Sequence, residues 1–235
     1  MKTFGRVLTA MITSFNDDGS VNIKNNVAIA EHLLNHGSDG LVVCGTTGEN
    51  PTMSRESKIA LFKAIAEFCG DKGTIIANVG SNDTKGSVDF VKEVSAIPGI
   101  DGLLVVVPYY NKPNQQGQYL HFKSIAEATT LPIMVYNVPS RVGTGIFPAT
   151  LARLHKEYPH ICAIKEASGN LMIASEIKRL MPGDDFMVYS GDDGLTLPML
   201  SVGACGVVSV VSHVAGKDMN AMIQAYESGH NHEAL

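Results

Sequence analysis

Eight short apolar runs recur along the chain at roughly even intervals, each followed by a segment of helical period, and this alternation limits the folds open to it more than any other feature. The runs are Val7 to Ile12, Gly40 to Cys44, Thr74 to Val79, Gly102 to Val107, Pro132 to Tyr136, Ile161 to Ile164, Phe186 to Tyr189 and Gly206 to Val211. Most are continuously apolar rather than alternating, as strands of a parallel sheet covered on both faces are. Eight strands each followed by a helix predict an α/β protein with a closed (β/α)8 TIM barrel. An open doubly wound sheet is the alternative, but its G-x-G-x-x-G fingerprint between a first strand and helix is absent.

The first helix is expected from an Asn22 cap to a stop at Gly37, with Ile23, Val27, Ala30 and Leu34 on one face. The second starts at Ser54, carries Ile59, Phe62, Ile65 and Ala66 inward, and stops at Gly70. Later helices are predicted near Thr84 to Ala96, Gly117 to Thr129, Pro148 to His155, Leu171 to Leu180, Gly194 to Val202 and Asp218 to Ser228. With 235 residues, 45% of them apolar, the chain can fill one sizeable core. The net charge of −5 and the lack of any Lys/Arg stripe argue against a nucleic-acid or anionic-membrane partner. Cys44, Cys69, Cys162 and Cys205 form no C-x-x-C pair, so free thiols and a cytoplasmic setting are expected; no apolar run is long enough to span a bilayer.

Barrels of this kind carry their chemistry where the strands end, so the residues following each run are the candidates. Lys165 shares a strand face with Ile161 and Ala163. If that face points inward, desolvation lowers the amine pKa and leaves a nucleophile able to form an imine with a carbonyl substrate, with no bound cofactor. A strand-end lysine reaching water or pairing with Glu166 is the plainer reading. Tyr136 ends the neighbouring run and, with Thr47, could relay protons; alternatively it simply fills the barrel mouth. Gly45 to Glu49 offers hydroxyl and N–H donors suited to a small carboxylate, or an ordinary βα turn. Arg141 could hold a second carboxylate bidentately, although most loop arginines are solvated. Asp192 and Asp193 would repel a phosphate after strand seven. His230, His232 and Glu233 match no metal motif and are expected to be a solvated tail.

Taken together, Gly45-Thr46-Thr47-Gly48-Glu49, Pro108 to Pro113, Tyr136 to Arg141, Ile164 to Gly169 and Ser190 to Asp193, in that order, resemble the dihydrodipicolinate synthase family within the N-acetylneuraminate lyase superfamily of Schiff-base aldolases. The resemblance covers nearly the whole chain. It implies that Lys165 forms an imine with pyruvate, and that Tyr136, Thr47 and Tyr110 relay protons, with Tyr110 reaching in from a neighbouring subunit. Thr46 and Thr47 would bind the pyruvate carboxylate, with the backbone at Gly191 and Val208 lining the pocket. Arg141 would hold the carboxylate of L-aspartate 4-semialdehyde. No cofactor or metal is implied, and a homo-oligomer, dimer or tetramer, is expected.

Two departures from the family pattern stand out. Where lysine-inhibited members carry two histidines and a glutamate, this chain has Arg55, Lys58 and Gly86, which predicts weak or absent feedback by lysine. The usual C-terminal helical extension is largely absent, so residues 1–217 are expected to form the catalytic barrel and 218–235 its last helix and the start of a helical region. The rival readings are a sialic acid or keto-sugar lyase, which would not need Arg141, and a catalytically silent metabolite-binding barrel.

Overall fold

The computed structural model describes residues 4–183 and 185–235. Eight strands, β1 (Val7–Ala10), β2 (Gly40–Val43), β3 (Thr74–Asn78), β4 (Gly102–Val106), β5 (Ile133–Asn137), β6 (Ile161–Glu166), β7 (Met187–Ser190) and β8 (Gly206–Ser209), close in sequence order into a barrel. Every neighbouring pair is parallel, including β1 with β8. All strand residues except Val106 are buried, which explains why the runs read as apolar on both faces: one face fills the barrel and the other meets the helices.

The helices are α1 (Ile23–Asn35), α2 (Arg55–Cys69), α3 (Thr84–Ser95), α4 (Gln115–Ala126), α5 (Pro139–Val142), α6 (Pro148–Glu157), α7 (Leu171–Leu180), α8 (Thr196–Ser201), α9 (Ser212–Glu227) and α10 (Asn231–Ala234). Asn22 caps α1, and Ser54 and Gly70 bound α2, as expected. None of the helices is long and apolar enough to cross a membrane among the described residues. All four cysteines are free thiols.

Three helix expectations need correction. In α1 the buried face is Asn26, Ala30 and Leu33, with Ile23, Val27 and Leu34 only half-buried. The Asn26 amide explains the rotation: it donates to the carbonyls of Ser14 and Asn22 and accepts from the Ser14 N–H, so a polar group lies on the core side because it ties down the loop after β1. The segment expected as one helix from Gly194 is a 3-10 turn, Asp193–Leu195, followed by α8. Finally, α9 starts at Ser212 rather than Asp218 and bends at Ala215. Gly216 lies inside this helix for close packing: a Cβ there would lie 2.5 Å from the His36 carbonyl oxygen. The short α5, which carries Arg141, has no counterpart among the expected helices.

Candidate active site

The register of the barrel sets Tyr136 of β5 directly beside Lys165 of β6, and Lys165 beside Tyr189 of β7. Lys165 is 7% exposed, and its Nζ lies 4.6 Å from the centre of the Tyr136 ring. Burial pushes its amine down from the ordinary 10.5 to about 8; the Asp193 charge works against that shift and the Arg141 charge adds to it. Among the described residues this is the lysine most strongly shifted toward the neutral form, and it sits where the strand ends converge.

Tyr136 is buried too, and its phenol is raised, first by desolvation, against which a hydrogen bond with Thr46 and the Arg141 charge both act. The hydroxyl that acts on the Tyr136 phenol is that of Thr46, the neighbour of the Thr47 expected in the relay. Two adjacent threonines in a turn are indistinguishable by type, and only the path of the chain decides which one faces the phenol. That path is set by left-handed residues at Cys44 (φ 55°) and Glu49 (φ 59°), while the two glycines of the motif keep ordinary φ values. Gly48 serves close approach instead, since a Cβ there would sit 2.9 Å from the Met11 carbonyl oxygen. Thr47 is half-buried in the same turn.

A cavity of about 720 Å³ opens beside Tyr136, lined among others by Thr46, Tyr109, Tyr110, Lys112 and Arg141; Lys165, Thr47, Gly191 and Val208 are not in its lining. Arg141 is exposed on its wall. Tyr110 stands on the rim, 88% exposed and in the left-handed region (φ 68°). Gly191, just after β7, leaves the room that the Lys165 side chain occupies: a Cβ there would lie 3.1 Å from Lys165 Cε and 2.6 Å from the Ala167 Cβ. Val208 is buried in β8, paired with Leu8.

Three residues that sequence reasoning left without a role stand close to this centre. Asp193 accepts from the Val210 and Val211 N–H groups at 3.0 Å each, and its other oxygen is buried without a hydrogen-bond partner among the described residues. Glu166 and Asn137 are buried side by side at the ends of β6 and β5. Their signal in the sequence was a polar residue at the last strand position, which is where a barrel displays its functional groups.

A second, smaller cleft of about 260 Å³ lies on the far side of Tyr109, with Arg55, Lys58 and Gly86 in its lining. Arg55 is ion-paired with Glu93 at 2.7 Å, while burial lowers the Lys58 pKa.

The chain matches the dihydrodipicolinate synthetase family over residues 3–235. It is 52% identical over 226 residues to the 4-hydroxy-tetrahydrodipicolinate synthase of Desulforamulus reducens, an alignment covering 96% of this chain and 76% of that protein. To the enzyme of the same name from Synechococcus sp. strain JA-2-3B'a(2-13) it is 50% identical, over 99% of this chain and 75% of the other. The crystal structure of a dihydrodipicolinate synthase from Bacillus anthracis superimposes with a TM-score of 0.96 at 44% identity, covering 100% of this chain and 79% of that one. A dihydrodipicolinate synthase from Cyanidioschyzon merolae, solved with lysine bound, gives 0.94 at 44% identity, covering 98% and 78%.

Proposed function

The chain belongs to the dihydrodipicolinate synthetase family, and from that membership we infer that it carries out the 4-hydroxy-tetrahydrodipicolinate synthase reaction, condensing pyruvate with L-aspartate 4-semialdehyde in lysine and diaminopimelate biosynthesis. What supports a lysine-based mechanism is Lys165 itself, a buried amine with its pKa brought down to about 8 against the ring of a buried tyrosine.

In this reading the Lys165 amine attacks the ketone carbon of pyruvate and water leaves, forming an imine. Loss of a methyl proton gives the enamine, whose carbon bonds to the aldehyde carbon of the second substrate. Attack by the substrate's own amino group then releases the lysine and closes the ring. Each stage moves a proton, and the Tyr136 phenol is assigned to carry it with a threonine hydroxyl, Thr47 or its neighbour Thr46, and with Tyr110. Thr47 and the backbone at Gly191 and Val208 are assigned to the pyruvate carboxylate and its pocket. Arg141 on α5 is assigned to the carboxylate of the aldehyde. A sialic acid or keto-sugar lyase would want neutral hydroxyl-binding groups where Arg141 stands. Tyr110, exposed at the rim, is assigned to the relay of a neighbouring subunit's site, and a dimer or tetramer in sedimentation velocity is the assembly that goes with this reading, as does a cytoplasmic setting.

The test is borohydride trapping with pyruvate across pH, read by intact mass and peptide mapping. A pyruvate adduct on Lys165, forming at a rate that climbs as pH rises through about 8 and levels off above it, is the expected result. No adduct on the folded protein would argue for the silent barrel, and a limb near the ordinary lysine value would argue against a lowered Lys165 pKa.

Feedback by lysine should be weak. The cleft behind Tyr109 presents Arg55 and Lys58, with no carboxylate at Gly86 to receive an ammonium group. Turnover unchanged by physiological lysine is expected, and inhibition in that range would refute it.

A further inference from the structure

The loop that carries Arg141 leaves the barrel at the end of β5 and comes back to it at Ile146, and both ends close on one residue. The Asn137 carbonyl accepts from the Ala167 N–H at 2.8 Å, holding the strand end against β6. Its side-chain oxygen accepts from the Ile146 N–H at 3.2 Å, where the loop returns. Gly145 lets that return pass close by, since a Cβ there would lie 3.1 Å from the same oxygen. The Asn137 amide nitrogen then donates to Glu166 at 2.7 Å, and the other Glu166 oxygen accepts from the Ser168 N–H at 2.6 Å. From the opposite side Gln115 of α4 donates to the Gly145 carbonyl and accepts from the Phe147 N–H. The segment between these anchors contains α5 and Arg141.

We propose that Glu166 and Asn137 form a buried clasp that sets the position of Arg141, and so decides recognition of the carboxylate-bearing aldehyde without touching it. They are positioning residues for the second substrate. This rests on the assignment of Arg141 made above. The carboxylate is suited to the task because it only accepts: both of its oxygens face N–H donors, so an amide in its place must turn its own NH2 toward one of them. Glu166→Gln therefore loses one of two bonds whichever way it flips, and Asn137→Asp sets two carboxylates against each other. In the double variant every bond is restored. The new amide at position 166 donates to the new carboxylate at position 137, that carboxylate still accepts from the Ile146 N–H, and the amide oxygen still accepts from the Ser168 N–H.

The experiment measures kcat and KM for both substrates in Glu166→Gln, Asn137→Asp, the double variant and Arg141→Ala, with borohydride adduct formation and thermal unfolding for each. Glu166→Gln should raise KM for L-aspartate 4-semialdehyde by about tenfold, the size expected of one unpaired buried donor, and Asn137→Asp, which opposes two carboxylates, by at least that; both should leave pyruvate KM and adduct formation within about twofold. The double variant should return the aldehyde KM to within about threefold of the parent. If pyruvate binding and adduct formation weaken in parallel with aldehyde binding, or the double variant is no better than the singles, the pair is merely part of the wall and the proposal fails. If Arg141→Ala raises the aldehyde KM while the single clasp variants do not, the clasp alone is refuted. If Arg141→Ala leaves that KM unchanged, the assignment of Arg141 falls and the clasp with it.

Discussion

Replacing Lys165 with alanine is expected to remove the pyruvate adduct and to lower turnover on the order of a thousandfold or more, because loss of a covalent nucleophile leaves only binding and proton transfer to help the reaction. The protein should remain folded. Native Lys165 carries a cost rather than a benefit to stability: its folded pKa of about 8 lies below the ordinary 10.5, so below pH 8 both folded and unfolded chains hold the proton and the burial penalty is fully present. As pH rises from about 8 to 10.5 the folded chain sheds the proton first, and stability climbs. At pH 7 the penalty is about 3 kcal/mol, at about 1.4 kcal/mol for each pH unit of the difference. Alanine relieves it but leaves a hole, whereas Lys165→Met fills most of the space and should melt higher than the parent while being equally inactive. Intact mass after borohydride, a turnover assay and thermal unfolding at pH 7 decide this. A Lys165→Ala protein that still traps pyruvate would move the imine to another lysine; a Lys165→Met protein less stable than the parent would mean that the ammonium is well solvated after all.

Tyr136→Phe is expected to slow turnover by about 10² to 10⁴-fold, the range for loss of a positioned proton donor and acceptor. The ring stays, and with it the 4.6 Å contact beneath the Lys165 amine, so the change isolates the hydroxyl. Pyruvate should still be trapped after long incubation, but slowly, since imine formation itself needs proton movement. Thr46→Val should share this slow phenotype if its hydroxyl, which acts to lower the pKa of the phenol, is the one in the relay. Thr47→Val should instead raise KM for pyruvate with less effect on kcat. Stopped-flow trapping beside steady-state kinetics separates the two patterns. Equal effects at both threonines would dissolve the distinction between relay and carboxylate binding, and a Tyr136→Phe enzyme with near-parental turnover would remove the phenol from the mechanism.

Much of this architecture was legible beforehand because burial on both faces writes itself into composition. Each of the eight expected runs coincides with a strand to within a few residues, and the Ser54 and Gly70 signals bound α2 as expected, since capping is local chemistry. The errors fall where distant groups intervene. Asn26 turns α1 because Ser14 is there to bond it, and Gly216 sits within α9 because the backbone at His36 passes so close. Nothing within a helical window carries that information.

Sequence alone determined the barrel, the set of strand-end residues and the presence of a lysine and a tyrosine on adjacent strands, because strand periodicity and side-chain chemistry are properties of short stretches of chain. Only the tertiary structure decided that Gly191 must lack a side chain, with Ala167 and Lys165 packed so close to it, and that Asn137 and Glu166 close the loop bearing Arg141. Those facts depend on distances between residues far apart in the chain, and so does the lowered pKa of Lys165: it comes from the loss of water that the closed barrel imposes, aided by the Arg141 charge and opposed by that of Asp193, both brought in by other strands' loops.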